Sequence, residues 1–392
     1  MLFNYVCNFN YKTRWVIWNR GGGESLRGRP NLYTDYKKET AILNTTTQKV
    51  WAFIGLTLLI VSSFFFTQYW MYLITTALLT SVAAWGLNIV SGFAGQISLA
   101  HGAFVGIGTY VSAVLGGVGS SFIRGYELDM LIWLPLAGIV PAIIGLIISP
   151  LAVRLKGLNL GLVTLGLVFI GSYIFSNWNS VTGGSGIGRK TAKLKIFGID
   201  FNDGFHAGSY HIEKDQFIFF LSLILFIFAG IGVKNLMRSK IGRAYAAIRD
   251  RDIAAEAIGI NLYRFKASAF ALSSFYAGVA GSLIFVMSGG VDPTQFNLVY
   301  SVTFIAVVII GGAGTVLGPL FGAVFFSLMP GVLKFFLHFF GTTADQIPLH
   351  PTQIERFIFG LLLIGFLIFE PRGLWGIWFR LRNYFKAWPF SY

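Results

Sequence analysis

A single cysteine stands in the 392 residues, and one thiol, Cys7, excludes an intrachain disulfide and any metal site built on cysteine. The redox compartment stays open. Charge is nearly as scarce: Asp, Glu, Lys and Arg make up 12% of the chain, about half the share a soluble domain carries. That shortage excludes a soluble globular class. No G-x-x-x-x-G-K-[ST] occurs, and the nearest approach, Gly183 to Thr191, has Arg189 inserted before Lys190, so the chain carries no ATP site of its own. Acid-base pairs and His/Cys clusters with metal spacing are missing too, apart from His206 and His211, five apart beside Asp203 and Glu213, a weak metal candidate. No metal site is therefore assigned. The first 50 residues hold eight Lys and Arg and no apolar core of signal-peptide length, which predicts no cleaved leader.

What the chain has in abundance is apolar side chains, 55% of the total, and they fall in long runs. The fold class is all-α, a polytopic membrane protein. Against the roughly 20 residues a helix needs to cross a bilayer, about ten transmembrane or re-entrant helices are predicted. They lie near 50–67, 69–90, 95–117, 131–153, 157–178, 216–233, 264–287, 297–312, 315–338 and 354–370. The formal charge of +14 sits in short basic segments between these runs, where it orients a chain in a lipid bilayer and gives no reason to invoke nucleic acid. With the basic N-terminus inside, strict alternation also puts inside the Arg154/Lys156 loop, residues 234–266, and the tail carrying Arg372, Arg380, Arg382 and Lys386. Both termini are then cytoplasmic. The division is a cytoplasmic N-terminal extension, 1–49, with a flexible Gly21–Gly23 tract; a membrane domain, 50–376; and a cytoplasmic tail, 377–392. The loop 179–215 falls outside, as do 118–130, 288–296 and 339–353. Trp70, Trp133, Trp178, Trp375 and Trp378 stand near span ends, where interfacial aromatics belong.

Two regions hold too much glycine for plain lipid-facing helices. Residues 92–104 and 311–323 share a G-x-A-G-x-[IV] start, at Gly92 and Gly312-neighbouring Gly311 respectively, a hint of internal duplication. Glycine permits unwound backbone at membrane depth where protein or a water-filled cavity satisfies it, and broken helices of that kind line transport sites. Tight hairpins with small-residue packing explain the same composition. Within the first region His101 sits in an apolar stretch, with Asn88, Gln96 and Ser98 nearby to bond a polar solute or one another.

Residues 234–266 form an island of charge between apolar runs. From Arg243 to Ile258 the chain is rich in alanine, free of Pro and Gly, and followed by Gly259, predicting one short surface helix closed by a left-handed cap. Arg249, Asp252 and Glu256 would share one face, and Ile241, Tyr245, Ile248 and Ile258 another. Such a helix presents charge to a partner; an ordinary positive-inside loop with solvated charges would look similar.

Four motifs in order, Leu87–Phe104, Thr182-Gly183-Gly184-Ser185-Gly186-Ile187, Gly242-Arg243 through Gly259, and Phe369-Glu370-Pro371-Arg372-Gly373-Leu374, closely resemble the permease subunits of branched-chain amino acid ABC importers, the LivM type. The resemblance runs from about 70 to 376 and gives no account of residues 1–49. It implies a permease in a bacterial inner membrane that pairs with a second, related permease of LivH type, docks two ABC ATPase subunits, and receives substrate from an extracytoplasmic binding protein. ATP-Mg would then sit on the ATPase subunits, with no cofactor on this chain, which is no enzyme itself. By the same resemblance Gly242, Arg243, Ala247, Arg249, Asp250, Glu256 and Gly259 form a cytoplasmic coupling helix. Thr182, Gly183, Gly184 and Ser185 would form an external gate or binding-protein side, unless those glycines simply let a loop turn. Asn88, Gln96, Ser98 and His101 are the candidates for the substrate pathway. Permeases for urea, amides or other small polar solutes share the type. An ion-coupled secondary carrier would show a charged residue in its spans, and 69–117 and 297–333 have none. A membrane-embedded enzyme lacks a reactive constellation.

Overall fold

The structure, a computed structural model, describes residues 46–155, 157–201, 205–207, 210–339, 351–370 and 372–387. Most of the N-terminal extension, Cys7, and the expected outer segment at 340–350 lie outside them. The first helices are α1 (Thr46–Ser62), α2 (Gln68–Asn88), α3 (His101–Gly116), α4 (Met130–Arg154) and α5 (Leu158–Asn177). A short α6 (Asn179–Thr182) opens the loop region, followed by β1 (Arg189–Lys190), β2 (Lys195–Ile196), β3 (Ile199–Asp200), β4 (Phe205–Ala207) and β5 (Tyr210–Ile212). Helices α7 (Lys214–Arg238), α8 (Lys240–Asp250), α9 (Asp252–Ala257) and α10 (Leu262–Ser288) come next, then β6 (Gly290–Val291), α11 (Leu298–Gly311), α12 (Gly318–Phe339), α13 (Pro351–Phe369) and α14 (Gly373–Ala387). Each expected span contains a helix. Residues 52–377 make one compact unit, while α14 from Trp378 onward belongs to a second.

Among the described residues five helices are long and apolar enough to cross a membrane, at Gln68–Phe93, Met130–Leu151, Asn159–Asn177, Lys214–Arg238 and Leu262–Ser288, with shorter apolar helices at Lys49–Ser62, His101–Gly116, Leu298–Gly311 and Gly318–Val332. The expected span 95–117 is the clearest departure. Its helix begins only at His101, and 16 residues reach about 24 Å, short of the hydrocarbon thickness. The residues before it are irregular backbone in which Ala94, Gln96, Ser98 and Ala100 are buried while Gly95 and Ile97 are exposed; non-helical backbone at membrane depth is tolerated where it packs in protein or lines a cavity.

Burial separates inner helices from outer ones. The apolar window of α2 is 89% buried and that of α10 is 67%, against 28% for α4 and α5 and 33% for α7. Helix α10 lies between α4, α3 and α2. It does so because it is threaded with small buried residues, including Ala277, Gly278, Ala280 and Gly281. A Cβ on Gly278 would stand 2.1 Å from the Ala137 carbonyl oxygen, and one on Gly108 would stand 2.3 Å from Gly278 Cα. Backbones in contact, with no hydrophobic force between helices in lipid, gain their cohesion from close packing. Pro135, Pro141 and Pro150 lie inside α4, which membrane helices tolerate where neighbours take up the freed carbonyls. Trp133 departs from the expected interfacial belt: it is 0% exposed, packed in a cluster with Leu79, Leu194, Ile218 and Leu283. The hairpins β2–β3 and β4–β5 and the β1–β6 pair lie in the loops between the helices. In β4–β5, His206 pairs in register with His211.

Candidate functional site

Helix α2 ends in a single π-turn, Ile89–Phe93, after which the chain runs without helix to Ala100. Gly95 takes φ +67 there, a value that a side chain resists. The second glycine tract turns between α11 and α12, with Gly312 at φ +117 and Gly314 at φ +75. The two tracts, far apart in sequence, meet. Asn88 is wholly buried between them; its Nδ2 donates to the Thr315 carbonyl at 2.8 Å and its Oδ1 accepts from Gly314 N–H at 2.8 Å. Trp85 Nε1 donates to the Val316 carbonyl at 2.6 Å. A Cβ on Gly92 would stand 2.4 Å from Gly314 N, so only glycine permits the approach. Arg249 joins from α8: its Nη1 donates to the Gly92 carbonyl at 3.1 Å. Asn88 and Arg249, expected in separate functional sets, therefore share one junction.

The other pathway candidates lie just beyond. Gln96 is buried and its Nε2 donates to the Ala94 carbonyl at 3.2 Å, Ser98 is buried, and Leu99 N–H donates to Thr164 Oγ1 at 3.0 Å. His101 is 1% exposed, edge-on to Phe304 at 5.1 Å and hydrogen-bonded to the Ala83 backbone, with Nε2 unpartnered. Gly102 N–H donates to Ser301 Oγ at 3.0 Å, fixing the first turn of α3 on α11. Beside this segment, an almost wholly apolar cavity of about 720 Å³ opens between α3, α4 and α5. It runs from Ala100, next to His101, past Phe104, Ile144, Leu167 and Phe175 to Thr182. Asn88, Gln96, Ser98 and His101 are not among the residues that line it.

At the far end stands the Thr182–Ser185 motif. Four glycines take left-handed backbone, Gly183 at φ +82, Gly184 at +84, Gly186 at +83 and Gly188 at +64, and coil the chain into a fixed turn. Thr182 is buried, and its Oγ1 accepts from Gly184 N–H at 3.3 Å. Two residues the sequence did not single out hold this turn. Asp292 accepts from Gly186 N–H at 3.0 Å and from Thr294 N–H and Oγ1 at 2.7 and 2.6 Å, and these hydrogen bonds, Thr294 first, hold its carboxyl below the ordinary range. Arg189, the residue that spoiled the nucleotide motif, is buried and donates to the carbonyls of Val181 at 2.6 Å and Ala113 at 2.5 Å. A cation at two helix C-termini satisfies carbonyls that have no partner within the helix. A charged residue directly after a glycine run was the available signal.

The charged island, 234–266, corrects one expectation. The helix is not continuous from Arg243 to Ile258 but breaks at Arg251, which is extended at φ −156, ψ 104. The predicted shared face of Arg249, Asp252 and Glu256 therefore does not exist. Asp252 turns inward, its Oδ2 3.9 Å from the ammonium of Lys266, a lysine 1% exposed at the base of α10. Of the four apolar residues expected to share a face, Tyr245 and Ile248 are buried, with Tyr245 Oη 2.8 Å from Ser268 Oγ, whereas Ile241 and Ile258 are exposed; Gly242 is buried at the α7–α8 corner, where a Cβ would stand 2.4 Å from the Met237 carbonyl. Arg243 Nη1 donates to the Arg238 carbonyl at 3.2 Å; Ala247 is half-buried, and Asp250 is exposed beside Arg249 at 3.5 Å. Helix α9 ends as predicted on Gly259 at φ +88, with Ile260 N–H donating to the Ala255 carbonyl at 3.0 Å. Its outer side presents Ile253, Glu256 and Ile258; the two isoleucines are 74% and 76% exposed.

A bundle of long apolar helices with a break before α3, an apolar cavity between α3, α4 and α5 and an exposed charged loop is the architecture of a polytopic membrane protein. The comparisons agree: residues 69–367 match the family described as branched-chain amino acid transport system / permease component, and the chain belongs to that family. It is the permease subunit of an ABC importer. The high-affinity branched-chain amino acid transport system permease protein LivM of Escherichia coli (strain K12) is 26% identical over 343 residues, 84% of this chain and 76% of the relative. LivH of the same named system in the same strain is 27% identical over 308 residues, 76% of this chain and 91% of the relative. The fructose import permease protein FrcC of Rhizobium meliloti is 28% identical over 232 residues, 57% of this chain and 58% of the relative. No solved structure matches significantly.

Proposed function

We propose that this permease imports branched-chain amino acids, paired with a second permease of LivH type, powered by two ATPase subunits that hold ATP-Mg, and supplied by an extracytoplasmic binding protein. The observation that carries the ATPase contact is the outward apolar pair Ile253 and Ile258 around Glu256, on a helix anchored from behind by buried Ala255 and by Asp252 on Lys266. Two large apolar side chains standing beyond the membrane domain in a charged loop are a docking surface that water does not favour. The cavity walls support the substrate class: isopropyl and isobutyl groups gain about 25 cal/mol per Å² on leaving water for such a surface, whereas a sugar's hydroxyls would find few partners. LivM and LivH relatives in one named system support the pairing of unlike permeases. Both termini and α8–α9 face the cytoplasm, and the Thr182–Ser185 turn faces outward beneath the binding protein, in keeping with the basic segments.

Replacing Ile253 and Ile258 with Asp tests the docking surface. Expected is loss of co-purifying ATPase subunits with the chain still inserted; retained ATPase and normal uptake of L-leucine overturn it. Orientation is read from Ile187→Cys in a Cys7→Ser background, at a position 87% exposed. Labelling by an impermeant reagent in intact cells is expected, and labelling only after permeabilisation reverses the topology.

A further inference from the structure

We infer that Arg249 is a positioning residue that couples the cytoplasmic helix pair to both glycine turns, and thereby to the break before α3. The inference rests on the reading of α9 as the ATPase contact. Two glycines from two distant turns are cut back around this one side chain, and a third bonds it through its carbonyl. A Cβ on Gly95 would stand 2.7 Å from Arg249 Cγ and 3.1 Å from its Cα, and a Cβ on Gly314 would stand 2.9 Å from its Nη1. The third, Gly92, offers the carbonyl that Nη1 bonds at 3.1 Å. Asn88 then ties the Gly92 side to Gly314 and Thr315 through both ends of its amide. A load applied to either turn therefore reaches the other.

On the cytoplasmic side the connection is equally short. Arg249 stands two residues before Arg251, the extended hinge between α8 and α9, and α9 carries the exposed Ile253 and Ile258. Helix α8 does not slip independently: Tyr245 is fully buried and bonded to Ser268 of α10. Beyond the turn, six residues of irregular backbone lead from Gly95 to His101 at the start of α3, one wall of the apolar cavity. Movement of α9 thus has a route of named contacts through Arg249 to the cavity, and packed elements with discrete arrangements are what carry coupling between sites. A planar fork that meets one carbonyl while its stem covers a glycine is not reproduced by lysine, a point charge on a flexible stem.

The test uses the whole complex, permease pair and ATPase subunits, in proteoliposomes with the binding protein and labelled L-leucine. Uptake and ATP hydrolysis are measured together for the parent, Arg249→Ala, Arg249→Lys, Gly314→Ala and the Arg249→Ala/Gly314→Ala double variant. Expected is at least a tenfold fall in leucine moved per ATP for Arg249→Ala and Gly314→Ala, an intermediate value for Arg249→Lys, and a double variant no worse than either single one, because both act on one joint. A role confined to folding would lower uptake and hydrolysis together and leave their ratio unmoved, and that result overturns the inference. So does an additive double variant. Should the parent complex lack ATPase subunits or coupled hydrolysis, the functional reading itself fails; a coupled parent with an unchanged ratio in Arg249→Ala removes only this inference.

Discussion

The carboxamide of Asn88 spans from α2 to the turn before α12, accepting from Gly314 N–H and donating to the Thr315 carbonyl, each at 2.8 Å. One buried side chain thus satisfies a donor and an acceptor that the glycine turn leaves outside any helix. Truncation in Asn88→Ala strands both, at about 1–3 kcal/mol for each group. Expected is a loss of about 2 kcal/mol or more, read as a lower unfolding midpoint of the purified permease in detergent. An unchanged midpoint would mean that water replaces the amide without cost.

Asp252 and Lys266 give a second, sharper case. Removing the carboxylate takes from a buried lysine the opposite charge 3.9 Å away, and breaking a buried ion pair costs up to about 3–5 kcal/mol. Asp252→Ala should therefore destabilise strongly, while Asp252→Ala with Lys266→Met should recover most of the loss, since an apolar residue of similar size needs no counter-charge. A double-mutant cycle on the chemical-unfolding midpoint measures it, and additive losses would show that the two groups do not interact.

Acidity acts on the Thr182–Ser185 turn through Asp292. Its carboxyl is held below the ordinary value of 3.8 by hydrogen bonds from Thr294 and Gly186, so the contribution is fully present above that value and is lost as pH falls through the lower folded-state one. The turn should stay ordered through neutral and mildly acidic pH and loosen only below about pH 4. Ser185→Cys in a Cys7→Ser background reports this through its labelling rate after brief acid exposure. Asp292→Asn, which keeps an accepting oxygen but does not titrate, should flatten the dependence.

Close helix packing predicts the fourth outcome. At Gly278 an added methyl meets backbone, the Ala137 carbonyl at 2.1 Å, and a main chain cannot step aside as a flexible side chain does. Gly278→Ala should cost about 1–3 kcal/mol by overpacking, with less assembled protein. Gly166, in α5, has nothing within 4 Å of an added Cβ, and Gly166→Ala should be neutral or stabilise by up to about 1 kcal/mol through helix propensity. Equal behaviour of the two variants would refute the packing account.

The sequence by itself determined the class, the places of the apolar helices and the family, because apolar run length answers to bilayer thickness and those signals are local. It also placed the left-handed cap at Gly259 and the break near Gly92–Gly95, since glycine's conformational freedom is a property of the residue. Tertiary structure decided the rest. That Asn88, Gly314 and Arg249 form one junction, that Asp252 turns away from the face of Glu256 toward Lys266, and that Arg189 and Asp292 hold the Thr182–Ser185 turn were not legible. Helical periodicity assumed a continuous axis, and the single extended residue Arg251 rotated everything after it. Contacts between residues more than 100 apart depend on which backbones approach, and that is set by the small residues of α10 and of the two turns acting together, not by any window of the chain read alone.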